Sequence, residues 1–266
     1  MAFATVGTSK VEYLVDGSGA GLVLVHGTGR DAISDWEALT PAFSDDWTVV
    51  RPNYSGSGNT EDKGEELTIE MLGQQVIGAA QAAGAVPFDL VGFSLGAPIS
   101  AWIAANHPEM VRKLVLISGF SHGDSRSRLQ FKLWSDLLYA DRRLFCEMGM
   151  LTGFSPQFVA SLPDDAIQAG VNGMLEGINW AGIARQVEVD IHLDIRDEIR
   201  KIVAPTLVIG CLQDQMVPIS HSKELAKEIT GATYREIDSG HTVLMERPEK
   251  VSKMIREFLG KGIWSI

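Results

Sequence analysis

One serine of the sequence stands in a setting that would make it a nucleophile. Residues 90–97 read Leu-Val-Gly-Phe-Ser-Leu-Gly-Ala, in which the apolar residues before Gly92 predict a strand and those after Gly96 predict a helix. The two glycines allow a sharp turn, because bulkier side chains there would collide with the neighbouring chain. Such a turn lifts Ser94 Oγ above the sheet at a helix N-terminus, which favours a developing negative charge. Ser94 is therefore the predicted nucleophile.

A serine hydroxyl needs a general base and a group that orients this base. In a parallel sheet such groups lie on loops beyond the carboxyl ends of the strands. Asp214 follows the predicted strand at residues 205–210, and His241 follows the one at residues 233–237. We expect His241 Nε2 to take the proton of Ser94, while the Asp214 carboxylate holds Nδ1–H and stabilises the imidazolium.

Two backbone N–H groups are predicted to form an oxyanion hole. One is the N–H of Leu95, directly after the nucleophile, and the other is that of Thr28 in the sequence His-Gly-Thr-Gly at residues 26–29. Gly27 would let the backbone approach the reaction centre. Loss of one such donor typically costs about 10²–10³ in rate.

The elements that position these residues alternate between strand and helix. Continuous apolar runs predict buried strands, and helical spacing predicts helices at about residues 36–43, 66–84, 95–107, 220–230 and 243–259. This alternation favours an α/β fold, with a mostly parallel sheet and helices on both faces. Residues 121–201 carry amphipathic helical pieces without a convincing strand. We therefore predict core segments at 1–120 and 202–266, with a helical lid inserted at 121–201.

Composition and charge narrow the function classes. The 266 residues carry a formal net charge of −11 and show no basic stripe, which disfavours nucleic acid and anionic membranes as partners. The chain has no apolar run of membrane-spanning length and no secretory leader pattern. Cys146 and Cys211 are expected to be buried thiols in a reducing compartment. A cytoplasmic location is the expectation.

These motifs together resemble the α/β-hydrolase superfamily. The resemblance rests on His26-Gly27-Thr28-Gly29, Gly92-Phe93-Ser94-Leu95-Gly96, Asp214 and Gly240-His241, and it spans about residues 10–120 and 202–262. Within the superfamily the chain is most similar to small capped bacterial enzymes of the enol-lactonase, esterase and C–C-bond hydrolase groups. The resemblance implies a small-molecule substrate, no cofactor and no metal.

Other polar residues offer competing interpretations. His26 is expected to be structural, because the family's general base follows the last strand, and its ring could hold the oxyanion loop by hydrogen bonds. Asp124 is the alternative triad acid, since some relatives place the acid after the preceding strand, and Asp238 is expected to be structural. Among the aromatic residues, three are the preferred candidates for lining a substrate pocket: Phe93, Trp134 and Trp180.

The function predicted from the sequence is that of a serine hydrolase. It would cleave a small, largely apolar carboxylic ester or lactone through an acyl-enzyme. Thioester hydrolysis, C–C-bond hydrolysis and a cofactor-free perhydrolase activity stay open as alternatives on the same fold. A serine at this position disfavours haloalkane dehalogenase and epoxide hydrolase chemistry, which the family performs with aspartate. The non-enzyme alternative is a receptor for a small ligand, which the complete triad disfavours.

Overall fold

Eight strands form one sheet in the computed structural model, which describes residues 1–260. They are β1 (Ala2–Val6), β2 (Ser9–Asp16), β3 (Ala20–Val25), β4 (Trp47–Asn53), β5 (Phe88–Phe93), β6 (Val111–Ile117), β7 (Thr206–Cys211) and β8 (Thr233–Ile237). Their spatial order is β1-β2-β4-β3-β5-β6-β7-β8. The two pairs that involve β2 are antiparallel and all other pairs are parallel. The predicted α/β fold with a mostly parallel sheet is confirmed.

Eleven α-helices are found within residues 1–260. They are α1 (Ile69–Ala82), α2 (Gly96–Asn106), α3 (Ser125–Ala140), α4 (Arg142–Gly153), α5 (Pro156–Ser161), α6 (Asp164–Gly177), α7 (Trp180–His192), α8 (Arg196–Ile199), α9 (Ile219–Glu228), α10 (Val243–Glu246) and α11 (Pro248–Leu259). None of the helices in this part of the chain is both long enough and apolar enough to cross a membrane.

The central strands are buried on both faces, as their continuous apolar sequences predict. In β3, Leu22 and Leu24 face one apolar cluster while Val23 and Val25 face the other, since successive strand side chains point to opposite faces. The first cluster includes residues of α11, and the second includes residues of α1 and α2. Helices therefore cover both sides of the sheet and hold its carboxyl edge in a fixed geometry.

Two helix predictions need correction. The predicted helix at residues 36–43 is a series of turns with a short 3₁₀ helix, Thr40–Ala42. Trp36 and Phe43 are fully buried, so their helix-like spacing reflects packing against the sheet, and Pro41 cannot donate a helical hydrogen bond. The predicted helix at 243–259 is divided into α10 and α11, because Pro248 disfavours helical backbone at Arg247, which has a φ of −139°.

Helices α3 to α8 lie between β6 and β7 in sequence, and we call them the helical insert. The segment between β6 and α3 pairs with the segment between α7 and α8 through hydrogen bonds from Ile195 N to Ser121 O and from Gly123 N to Leu193 O. The domain division at residues 120 and 201 stays a prediction. The last six residues of the predicted second core segment lie outside the described residues.

Candidate active site

Ser94 lies at a tight turn between β5 and α2. Its backbone φ is +54°, a left-handed conformation that is rare for a residue with a side chain. A Cβ at Gly92 would lie 2.1 Å from Gly96 O, and one at Gly96 would lie 2.3 Å from Val25 O. The expectation that both glycines are required for space is confirmed. The turn leaves Ser94 partly accessible at the carboxyl edge of the sheet.

The structure brings Ser94, His241 and Asp214 together. His241 Nε2 lies 3.0 Å from Ser94 Oγ, and His241 Nδ1 lies 2.7 Å from Asp214 Oδ2. The imidazole is buried, and its centroid lies 5.2 Å from that of the Phe93 ring. This is the geometry in which a neutral imidazole accepts a hydroxyl proton on one nitrogen while a carboxylate orients the other.

Asp214 is fixed by its own backbone surroundings as well as by His241. Its Oδ1 accepts hydrogen bonds from Met216 N at 2.9 Å and Val217 N at 2.7 Å. The competing acids lie elsewhere. Asp124 accepts the N–H of Ser127 at the start of α3, and Asp238 accepts from Gln213 Nε2 at 2.6 Å. Among the carboxylates considered, Asp214 is the one that contacts His241.

The loop at residues 27–29 leaves one backbone donor uncommitted. Gly27 N donates to Asp35 Oδ2 at 2.9 Å, and Gly29 N donates to Gln186 Oε1 at 2.8 Å. In residues 1–260 neither the N–H of Thr28 nor that of Leu95 has a hydrogen-bond acceptor. A Cβ at Gly27 would lie 3.0 Å from Ser94 Cβ, so this glycine does permit the close approach that the sequence analysis expected.

His26 supports this loop from below. The ring is fully buried, Nδ1 lies 2.9 Å from Gly27 O, and the ring stacks on Tyr54 with centroids 3.9 Å apart. Tyr54 Oη is 3.0 Å from His26 O and 3.1 Å from Gly27 O, close enough to donate to either. Burial lowers the pKa of His26, which keeps the ring neutral. Its position agrees with the expected structural role.

An apolar cavity of about 350 Å³ opens at Ser94 and His241. Of the three preferred pocket residues, Phe93 and Trp134 line it. Trp180 does not: it packs behind Phe145, with ring centroids 6.0 Å apart, and under the guanidinium of Arg142. Five of the nine methionines of the chain also line the cavity: Met148, Met150, Met174, Met216 and Met245.

Residues 22–248 match a family model described as alpha/beta hydrolase fold. The chain belongs to this family. A similar member is a pyrrolizixenacetamide deacetylase of Xenorhabdus hominickii, which is 48% identical over 255 residues and 96% covered in each chain. A putative carbamate hydrolase RutD of Rhizobium rhizogenes is 26% identical, with 90% of this chain and 92% of the relative covered. This α/β hydrolase is an enzyme of a family that acts on ester and amide bonds.

Solved α/β hydrolases share the fold over nearly the full chain. MGS-M2, an α/β hydrolase enzyme from a Medee basin deep-sea metagenome library, superposes with a TM-score of 0.90 at 20% identity and full coverage of both chains. The enol-lactonase of Burkholderia xenovorans LB400 has a TM-score of 0.87 at 23% identity, covering 97% of this chain and 99% of that one. At these identities the likeness establishes the fold.

Three buried polar residues near the site were not predicted from the sequence. Asp190 and Gln186 on α7 contact the loop at 27–29, and Glu246 on α10 contacts the loop that carries His241. One signal was available: Ile183, Val187 and Asp190 recur at spacings of four and three, so a carboxyl lies on the apolar face of its helix. Within residues 1–260, no group of three or more potential metal-ligating side chains is arranged to hold a metal ion.

Proposed function

We propose that this α/β hydrolase is a serine hydrolase that cleaves small, largely apolar carboxylic esters, lactones included, through an acyl-enzyme. The observation that carries the proposal is the continuous hydrogen-bond chain from Ser94 Oγ through His241 to Asp214 at the floor of an apolar cavity. The roles of Ser94, His241 and Asp214 in catalysis are part of the proposal.

In the acylation step Ser94 Oγ attacks the carbonyl carbon of the substrate while His241 Nε2 takes the hydroxyl proton. Asp214 stabilises the resulting imidazolium. The carbonyl oxygen becomes an oxyanion that accepts from the N–H groups of Thr28 and Leu95, the two uncommitted donors next to Ser94. The imidazolium then gives its proton to the leaving oxygen as the bond to the acyl carbon breaks.

Deacylation repeats the same steps with water. His241 removes a proton from the water as its oxygen attacks the acyl carbon, and the second oxyanion uses the same two donors. Ser94 leaves as the alcohol after it regains the proton from the imidazolium. The products are a carboxylic acid and the free alcohol, or one hydroxy acid where the substrate is a lactone.

The cavity favours a neutral substrate. Besides His241, Arg30 is the one basic residue that lines it in the described part of the chain, and its Nε already donates to Asp35 Oδ1 at 2.8 Å. The remaining wall is mostly aromatic, aliphatic and methionine side chains, many of them from the helical insert. We infer that the insert acts as a cap that shapes the substrate site.

Amide deacetylation is the second candidate. It is favoured by the 48% identity to a deacetylase whose name specifies an acetamide. The same triad serves both reactions, because the proton that His241 delivers to a leaving alcohol can equally be delivered to a leaving amine. Comparing 4-nitroacetanilide with p-nitrophenyl acetate, which share an acetyl group, separates the two activities.

The decisive experiment is labelling with a fluorophosphonate followed by intact mass measurement. We expect one adduct on the wild type and none on Ser94→Ala, with the exposed Ser220→Ala variant labelled like the wild type. Ser94→Ala and His241→Ala should each lower kcat for a cleaved ester by about 10⁴-fold or more with the fold intact. An unlabelled, folded wild type would contradict the proposal and direct attention to a ligand receptor.

A further inference from the structure

Asp190 connects the helical insert to the loop that carries the proposed oxyanion donor. It lies on α7, 1% exposed, and its Oδ2 accepts from Thr28 Oγ1 at 2.7 Å. Its Oδ1 is buried and has no hydrogen-bond partner among residues 1–260. The hydroxyl of Thr28 is thus the single polar contact of a carboxyl group that has been removed from water.

The contact between Asp190 and Thr28 adds to other hydrogen bonds that hold the loop at residues 27–29 in place. Gly27 N donates to Asp35, and Gly29 N donates to Gln186. Tyr54 Oη lies within hydrogen-bond distance of the carbonyl oxygens of His26 and Gly27. The Thr28 side chain is held by Asp190 on the side of the insert. Of the three N–H groups in this loop, that of Thr28 has no acceptor among residues 1–260. It is therefore free to donate to the proposed oxyanion.

We propose that Asp190 is a positioning residue for the oxyanion hole, which it orients through its hydrogen bond with the hydroxyl of Thr28. This inference rests on the proposed function, since it assigns the donor for a reaction at Ser94. It gives the insert a part in stabilising the transition state in addition to shaping the cavity. Asp190 itself touches no reacting atom.

The surroundings of the Asp190 carboxyl group favour its protonated form. Burial raises the pKa of Asp190 to about 8, opposed by the hydrogen bond from Thr28. The titratable group that faces it is the phenol of Tyr54, whose own pKa burial also raises, so the phenol stays neutral. An ionised Asp190 would add a negative charge next to the residue that stabilises the oxyanion, which opposes the same transition state.

The hydroxyl of Thr28 is tested with Thr28→Val and Thr28→Ser, using p-nitrophenyl acetate as substrate. Thr28→Val removes the contact with Asp190 at nearly constant volume, and we expect kcat to fall by about 10²-fold with little change in KM, as for a misplaced catalytic group. Thr28→Ser keeps the hydroxyl and should recover most of the loss. A wild-type kcat in Thr28→Val would overturn the proposal.

The charge of Asp190 is tested with the pH dependence of kcat. In the wild type we expect kcat to decline as pH rises through about 8, the region in which Asp190 ionises. Asp190→Asn keeps an acceptor for Thr28 but cannot ionise, so its ratio of kcat at pH 9.5 to kcat at pH 7 should exceed that of the wild type. Glu188→Gln, an exposed carboxylate on the same helix, is the matched control and should follow the wild-type profile.

The outcomes separate this inference from the proposed function. If the wild type does not turn over p-nitrophenyl acetate, or if Ser94→Ala is as active as the wild type, the proposed function fails and the inference with it. If Ser94→Ala is inactive while Asp190→Asn retains the alkaline decline, only the role of Asp190 is refuted. This second readout stands even where Thr28→Val does not fold.

Discussion

The carboxyl groups of Asp214 and Asp190 are both buried, but they differ in their hydrogen-bond partners. Asp214 is 9% exposed and accepts hydrogen bonds from the N–H groups of Met216 and Val217 as well as from His241. Three donors hold this carboxyl group in one orientation, as its proposed role beside the imidazole requires. Asp190 has one donor and a buried second oxygen, which favours the neutral acid. The two buried carboxyl groups therefore differ in how many donors contact them.

The buried acid makes the stability of the protein depend on pH. Folded Asp190 keeps its proton up to about pH 8, whereas an unfolded aspartate loses its proton near a pKa of about 3.9. The stabilisation from this proton is therefore full below pH 4 and is lost as pH rises from about 4 to 8. Asp190→Asn should raise Tm relative to the wild type, by more at pH 8 than at pH 5.

Thermal unfolding monitored by circular dichroism at the two pH values measures this difference. Glu176→Gln on α6 provides the control, because this exposed carboxylate has no ion-pair partner among residues 1–260, and its Tm difference should not change between the two pH values. A Tm difference for Asp190→Asn that is equal at pH 5 and pH 8 would mean that Asp190 is ionised in the folded protein.

Individual site residues were predictable from the sequence where they follow a recognisable strand. Ser94 and Asp214 each follow a largely apolar, buried strand, and His241 follows β8, whose sequence Thr-Tyr-Arg-Glu-Ile is mostly polar. The neighbouring positions of these strands in the sheet bring the three residues together. Trp180 could not be placed in this way, since helical periodicity gives the face of a helix but not its neighbour across the cavity. Asp190 was missed for the same reason: its partner, Thr28, lies 162 positions away in the sequence.

Most strands of the sheet were predictable because each has its own apolar run, whereas β8 at the sheet edge is mostly polar. The predicted helix at residues 36–43 failed where tertiary packing, rather than helical propensity, sets the spacing of Trp36 and Phe43. Local polar contacts also favour turns just before this segment, where the side chain of Asp31 accepts the N–H groups of Ile33 and Ser34. Periodicity cannot distinguish such a packed turn from a short amphipathic helix.

The turn between β5 and α2 has no space for a side chain at Gly92. In Gly92→Ala the new methyl group would lie 2.1 Å from Gly96 O and 2.5 Å from Ser100 Oγ, so backbone must move. We expect Gly92→Ala to lower the free energy of unfolding by about 3 kcal/mol, the upper part of the usual cost of overpacking. Urea denaturation measures this change, and activity should fall with it because Ser94 shares the turn.

Gly173→Ala on α6 is the matched control for the added methyl group. Within residues 1–260 nothing lies within 4 Å of the position that the new Cβ would take, and the residue is exposed within a helix. There alanine should stabilise the protein by about 0.5–1 kcal/mol, because glycine loses more conformational freedom on folding. If both variants lost the same stability, steric crowding at the turn would not be the cause.

At the scale of the whole molecule, the helical insert contacts both sides of the proposed catalytic centre. On one side Asp190 and Gln186 hold the loop of the proposed oxyanion donor. On the other side the buried carboxylate of Glu246 accepts the N–H of Ser155 at 2.9 Å and that of Gly240 at 3.1 Å. Ser155 belongs to the insert and Gly240 precedes His241. One carboxylate therefore links the insert to the loop of the proposed general base.

Because both loops share this acceptor, removing it should affect both of them. Glu246→Leu removes the acceptor of two buried N–H groups and of the Ser155 hydroxyl, which donates to Oε1 at 2.6 Å. Each donor left unsatisfied costs about 1–3 kcal/mol, so Tm and kcat should both fall. Amide hydrogen exchange should accelerate at Ser155 and Gly240 together, because both lose the same partner. Glu246→Gln keeps one acceptor oxygen and should be affected less, and Glu249→Leu at an exposed position of α11 is the control. Faster exchange at only one of the two amides would show that the insert and the histidine loop open independently, and that Glu246 does not couple them.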